Sequence, residues 1–204
     1  MVEVLVLLVA LLFVAGRRER NHAPMSTQAE MPTACPDSGQ AAANFKAAFG
    51  GHPAGVSIIT ADIGTGPVGI TASSVASVSA EPPILAFSLA SQKGSAAAIA
   101  VADSLVVHLL TASDVGLARA FASPTTERFT GAMVWTRLDT GEPLLMHAGF
   151  ALRCKVLSRT AAGSSLLVAA AVLEVIAPES PGEPLVYHQR GYHGLGGQGL
   201  PTES

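Results

Sequence analysis

Two late runs, FALRCKVLSRT (150–160) and SLLVAAAVLEVIA (165–177), are separated only by AAGS, a turn sequence. Both are long and rich in apolar and β-branched residues, so they read as strand partners across a tight turn. The first alternates, with Leu152, Cys154 and Val156 on one face and Arg153, Lys155 and Leu157 on the other. A long hairpin with one buried face must pack against further strands of a sheet.

The preceding chain supplies them. AGVSIITA (54–61), VGITASSVASVS (68–79), ILAFSLA (84–90) and SLVVHLLT (104–111) are short strand candidates, separated by IGTGP, by Pro82-Pro83 and by an Ala-rich segment. PLVYH (184–188) closes the series, and the Gly-rich GYHGLGGQG reads as loop. Helices are few and short. AAANFKAAF (41–49) sets Phe45 and Phe49 on one face before Gly50, Gly51 and Pro53 stop it. Residues 93–102 and 114–122 are the others, the last with Ser113 as expected N-cap and Leu117 and Phe121 on a shared face. Many short strands with so little helix indicate a mainly β chain whose antiparallel sheet is closed or nearly closed.

The N-terminus is different in kind. Residues 2–15 are apolar except for Glu3, and Arg17, Arg18 and Arg20 follow. The run is short for a bilayer span, and its charge lies on the wrong side for a secretory signal. Three readings stay open: translated upstream sequence with the true start near Met25, a weak membrane anchor, or a signal. Residues 21–40 are polar and turn-rich, a flexible lead-in. The expected organisation is therefore 1–40 as appendage, 41–197 as domain and 198–204 as tail. A cytoplasmic protein is expected, with weak N-terminal membrane association left open.

Formal net charge is -3 and no stretch is strongly basic, which argues against a nucleic-acid partner. Cys35 and Cys154 are the only cysteines, and the six histidines form no ligand spacing, so neither a disulfide framework nor a metal site is expected. No phosphate-cradling Gly loop, nucleophile elbow or paired carboxylate is evident, and no catalytic residue is assigned. The unusual feature is GITASSVASVSAEPP. It sets Thr71, Ser73, Ser74, Ser77 and Ser79 within nine positions among apolar neighbours. Hydroxyls beside an apolar wall suit a flat heteroaromatic ring with polar edges, or a phosphate. A hydroxyl-rich edge strand facing water is the competing reading.

HPAGVSIITA, GITASSVASVSAEPPILAFSL, ASQKGS, LARAFA, ERFTG and PLVYHQRGY, in that order, resemble the flavin reductase-like domain family. The family contains the reductase components of two-component flavin monooxygenases. The resemblance implies a split β-barrel, antiparallel and Greek-key-like, usually a homodimer, holding FMN or FAD without a covalent bond. It implies that Thr71, Ala72, Ser73 and Ser74 line the isoalloxazine and that Ser77 and Val78 continue the site. Ser91, Lys93 and Ser95 fall where phosphate and ribityl contacts are expected, and Arg128 and Phe129 near the flavin, Phe129 as a covering ring or as ordinary core.

One segment departs from the family pattern. Where family reductases commonly carry Gly-Asp-His, associated with the nicotinamide side, this chain has Gly163-Ser164-Ser165. His147, His188 and His193 are possible substitutes. The expected function is NAD(P)H-dependent reduction of FMN or FAD, with reduced flavin passed to a partner monooxygenase. The alternatives are a flavin carrier or sensor without nicotinamide chemistry, and an interaction barrel with no cofactor.

Overall fold

The computed structural model describes residues 38–131, 133–146, 148–180 and 182–196. The alternatives for the N-terminal segment, Cys35, His22, His147 and the tail 198–204 lie outside the described residues. The chain divides into two units between Ala41 and Ala42, and the fold below is that of the second.

Helix α1 (Ser38–Gly50) stops as expected: Gly51 N–H bonds back to the Ala47 and Ala48 carbonyls, and Pro53 follows. Strands β1 (Ala54–Gly55), β2 (Ser57–Asp62), β3 (Pro67–Ala72), β4 (Ala76–Ala80) and β5 (Pro83–Leu89) come next. After helix α2 (Ser95–Val101) and β6 (Ser104–Leu109), a 3-10 turn at Ala112–Asp114 leads into α3 (Val115–Ala122). The chain ends with β7 (Trp135–Arg137), β8 (Pro143–Leu145), β9 (Phe150–Ala162), β10 (Ser165–Ile176), β11 (Leu185–His188) and β12 (Gly191–Gly194).

Seven strands form one antiparallel sheet in the order β3-β2-β6-β9-β10-β5-β4, with β9 and β10 at its centre. Six inter-strand spacings would put the edges of a flat sheet about 29 Å apart. Yet β3 and β4, the two edges, are joined only by Ser73, Ser74 and Val75. The four steps from Ala72 to Ala76 reach about 14 Å at full extension. The sheet must therefore curl until its edges meet, giving a barrel split between β3 and β4. The expected mainly β split barrel is the observed architecture.

Local differences have local causes. The single strand read at 68–79 breaks at 73–75, because there the chain leaves one edge and joins the other. The run 54–61 divides at Val56, whose N–H goes to Leu185 O and whose carbonyl accepts from Leu110 N–H. Gly191–Gly194 is not loop: β12 pairs with β11, with Tyr187 opposite Tyr192. Thr111, not Ser113, caps the turn before α3; its N–H and Oγ1 both donate to the Asp114 carboxylate.

The barrel interior is one core, with Ile59, Phe87, Leu89, Ile99, Leu105, Val107, Cys154 and Val168 fully or almost fully buried. The expected face of β9 points there, and burial pushes the Cys154 thiol up to about 12, which keeps it a neutral packing group. Burial outside β2 forms a second core, where Ile58, Leu110, Ala118, Phe121, Leu145 and Leu185 meet. Strand β2 is thus covered on both faces. His108 joins three strands in this region. Leu145 N–H donates to its Nε2 (3.0 Å), so the ring's proton is on Nδ1 and is donated to Ile58 O (3.2 Å).

Candidate functional site

A cleft of about 750 Å³ opens beside the β3–β4 split. Its walls come from four places: Ile70 to Ser74 leaving β3, Ser88 to Ser91 ending β5, Lys93 to Ala96 entering α2, and the end of α3 with Arg128. The volume is that of a site for one small molecule.

Of the residues expected in a site, Thr71, Ala72, Ser73, Ser74, Ser91, Lys93, Ser95 and Arg128 come together here. Ser77 and Val78 do not line the cleft; both are exposed on β4, beyond the break. Phe129 is also elsewhere. Its ring packs edge-on between Phe121 (5.4 Å between centroids) and Trp135 (5.2 Å), and its carbonyl accepts from the indole N–H of Trp135. The aromatic ring lining the cleft is Phe121. Its α3 spacing with Leu117 was visible in the sequence as a packing face, but not which end of that face would open on a cleft.

Gly69 explains how Phe121 reaches that position. A Cβ built at Gly69 would lie 2.4 Å from the Phe121 ring, so only glycine lets the ring approach β3 this closely. This Gly opens the hydroxyl-rich motif.

The hydroxyls divide by role. Thr71 Oγ1 donates to Ala118 O (2.6 Å), tying β3 to α3. Ser74 Oγ both donates to Ser88 O and accepts from Ser88 N–H, each at 3.0 Å. It thereby supplies β5 with the pairing that a continuous strand would have given at the break. Ser73 and Ser91 are exposed and free to turn toward a ligand. Ser95 Oγ accepts from the Arg128 guanidinium (2.9 Å).

Arg128 holds the cleft walls together. Nη1 also donates to Gly69 O (2.9 Å), Nε to Ala120 O (3.4 Å) and Nη2 to Ser123 O, while the guanidinium carbon lies 5.7 Å from the Phe121 ring centroid. Partial burial lowers its pKa below the ordinary arginine value. With exposed Lys93 it gives the cleft two cations, and no carboxylate is among the lining residues described. Apolar surface from Ile70, Ala90, Ala96, Ala122 and Pro124, a rim of hydroxyls and two cations fit a flat ring system carrying a phosphate.

The departure Gly163-Ser164-Ser165 forms the β9–β10 turn. Gly163 (φ +60°) and Ser164 make the two-residue loop between the paired Ala162 and Ser165. Leu166 lies opposite Leu89, the residue where the cleft-lining segment leaves β5. The turn therefore stands at the same end of the sheet as Ser91. His188 and His193 do not line the cleft; their Nε2 atoms contact Gly51 O (3.1 Å) and His188 O (3.3 Å). Among the described residues no cluster of His, Cys, Asp and Glu could hold a metal ion, and no helix is long and apolar enough to cross a membrane.

Comparison with known proteins agrees with this geometry. The chain is 42% identical over 159 residues to the NADH:FMN oxidoreductase of Rhodococcus qingshengii, covering 76% of this chain and 83% of that one. The crystal structure of a flavin reductase domain protein from Arthrobacter sp. FB24 has a TM-score of 0.71 at 34% identity, covering 80% of this chain and 98% of that one. The styrene monooxygenase flavin reductase of Pseudomonas putida S12 has a TM-score of 0.67 at 26% identity, covering 78% and 99%. Residues 49–196 match the flavin reductase like domain, and the chain belongs to that family.

Proposed function

We propose that the protein binds FMN in the cleft beside the barrel split and catalyses its reduction by NADH. The carrying observation is the convergence, at one cleft, of the hydroxyl-rich segment, Lys93, Ser95 and Arg128 in a chain closely related to an NADH:FMN oxidoreductase. When bound, the flavin supplies the electron-accepting ring system for reduced nicotinamide. The chain's own task is to seat two rings face to face and keep water from between them. Ile70, Ala90, Ala96, Ala122 and Pro124 give the apolar surface against which a ring is held. Ser73, Ser91 and backbone groups of 71–74 meet its polar edge, and Lys93 with Ser95 faces the phosphate. No side-chain acid or base is needed, in keeping with the absence of carboxylate or histidine from the described lining.

Purified protein mixed with NADH and either FMN or FAD tests this by loss of NADH absorbance. Turnover with FMN supports it; tight flavin binding without turnover favours the second reading, a flavin carrier. That reading rests on the serines of the 163–165 turn, which bring neither carboxylate nor imidazole to this end of the sheet. FAD in place of FMN and NADPH in place of NADH are further arms of the same assay.

The relationship to a styrene monooxygenase flavin reductase supports delivery of reduced flavin to a separate oxygenase. A homodimer is part of the proposal. Leu157, Leu167 and Leu173 are each more than two-fifths exposed along β9 and β10, an apolar surface suited to a second copy. Light scattering during size-exclusion chromatography measures this directly; a monomer at micromolar concentration refutes it.

A further inference from the structure

We infer that Arg128 acts on the ligand through Ser95, as a positioning residue that makes the Ser95 hydroxyl an obligate donor into the cleft. This rests on the FMN reading above. A guanidinium has donors only, so the 2.9 Å contact from Arg128 Nη1 occupies a lone pair of Ser95 Oγ and leaves its proton to be given elsewhere. Among the described residues Ser95 Oγ has no acceptor for that proton, and Ser95 lines the cleft two residues from Lys93. Of the other partly buried hydroxyls there, Thr71 and Ser74 are spent as donors on the protein, on Ala118 O and Ser88 O, and Ser88 Oγ receives no guanidinium bond that would fix its direction. Ser95 is thus the hydroxyl in the cleft whose donor direction is set in advance.

Arg128 is itself fixed. Four of its five N–H groups are engaged by Gly69, Ser95, Ala120 and Ser123, which leaves it little freedom to reach out to a ligand. Accepting from a cation polarises the serine O–H and makes it the stronger donor to an anion. The acceptor that profits most is a dianionic phosphate beside Lys93. The pair therefore distinguishes a phosphorylated flavin from the same ring without phosphate.

A double-mutant cycle in the full chain, read as flavin affinity by fluorescence quenching with FMN and with riboflavin, tests the inference. Ser95→Ala is expected to weaken FMN about tenfold or more and riboflavin less than about twofold. Ser95→Thr, which keeps the hydroxyl, should restore most of the loss. Arg128→Lys keeps a charge and loses the fork, so it should weaken FMN by a similar factor, with little further loss once Ser95 is Ala. Additive losses, or equal losses for FMN and riboflavin, overturn it and make Arg128 a brace for cleft shape alone. If Arg128→Lys does not fold, the serine variants still decide: unchanged FMN-over-riboflavin preference in Ser95→Ala overturns the inference. Wild-type protein that quenches neither flavin would instead remove the FMN reading itself.

Discussion

Acid should unfold this protein early, through one histidine. His108 is fully buried where β2, β6 and β8 meet, and its two ring nitrogens are committed, Nε2 as acceptor from Leu145 N–H and Nδ1–H as donor to Ile58 O. Protonation would set two N–H groups against each other at Nε2. Burial, opposed by the Ile58 hydrogen bond and by Asp114, lowers the His108 pKa from 6.5 to about 4. The unfolded chain therefore binds one more proton between these values. The stability held in the neutral ring is fully present above pH 6.5 and is lost as pH falls through about 4. At 1.36 kcal/mol per unit the whole loss is about 3 kcal/mol, of which about 2 kcal/mol has gone by pH 5. Asp62 and Glu142, whose folded pKa values are also lowered, lose their contribution only below their ordinary values of 3.8 and 4.5, so the window above pH 5 is separate from theirs. Urea unfolding at pH 8, 7, 6 and 5, for wild type and His108→Gln at one fixed FMN concentration, measures it. Gln keeps an acceptor for Leu145 and does not titrate. The variant should be less stable at pH 8 by about 1–2 kcal/mol, and the two curves should converge near pH 5. Parallel curves would refute the assignment. Because Phe121 shares this core with Ile58 and Leu145, FMN affinity should weaken over the same range.

Gly69→Ala forces the Phe121 ring off β3, with an expected cost of about 1–3 kcal/mol in chemical unfolding and a weaker FMN affinity, while unchanged affinity would detach Phe121 from the site. Ser74→Val strips both Ser88 backbone groups of their partner, so it should lower stability by about 1–3 kcal/mol and weaken FMN and riboflavin alike, in contrast to Ser95→Ala. Restoring the family turn with Ser164→Asp and Ser165→His should raise kcat/KM for NADH about tenfold. That gain would lie in KM if the new groups only seat the nicotinamide and in kcat if they act in the transition state, and robust wild-type turnover with no gain would sink the interpretation of the turn.

The strand content was legible because β9 alternates, because β10 is a long run rich in apolar and β-branched residues, and because turn formers punctuate the rest. What could not be read was where the sheet would part. VGITASSVASVS is uniformly strand-like, and nothing in its composition marks Ser73–Val75 as the place where the chain passes between edges. The break is a consequence of barrel closure, a non-local fact. Strands β7 and β8 have three residues each, too few for any period to show. Gly191–Gly194 reads as loop because its pairing energy comes from β11 and from the Tyr187–Tyr192 contact (5.1 Å between centroids), not from propensity. For the site, the hydroxyl cluster announced itself by chemistry, and Lys93 came through the family resemblance. Phe121 and Gly69 did not, since their significance lies in a contact across 52 residues of sequence. The resemblance of ERFTG located Arg128 but not its task, which is set by carbonyls from β3 and α3 that no local pattern foretells.

The position of the cleft follows from how the barrel fails to close. An antiparallel sheet rolled on itself can hide every backbone group only if its two edge strands pair, and here β3 and β4 do not. Open edges leave N–H and C=O groups without partners, at a cost the chain must meet some other way. Ser74 meets part of it by taking both groups of Ser88, Thr71 ties the β3 edge to α3, and Arg128 caps the Gly69 carbonyl. These three devices stiffen the opening without filling it. The unfilled remainder has one apolar side, from the barrel and Phe121, and one polar side, from the edge itself. A continuous barrel of the same strands would be more completely paired and would have nowhere to put a planar polar ring. Within the hydroxyl-rich segment Thr71 and Ser74 brace the fold while Ser73 stays exposed at the cleft, which is why its sequence reads equally as a water-facing edge or as a binding wall.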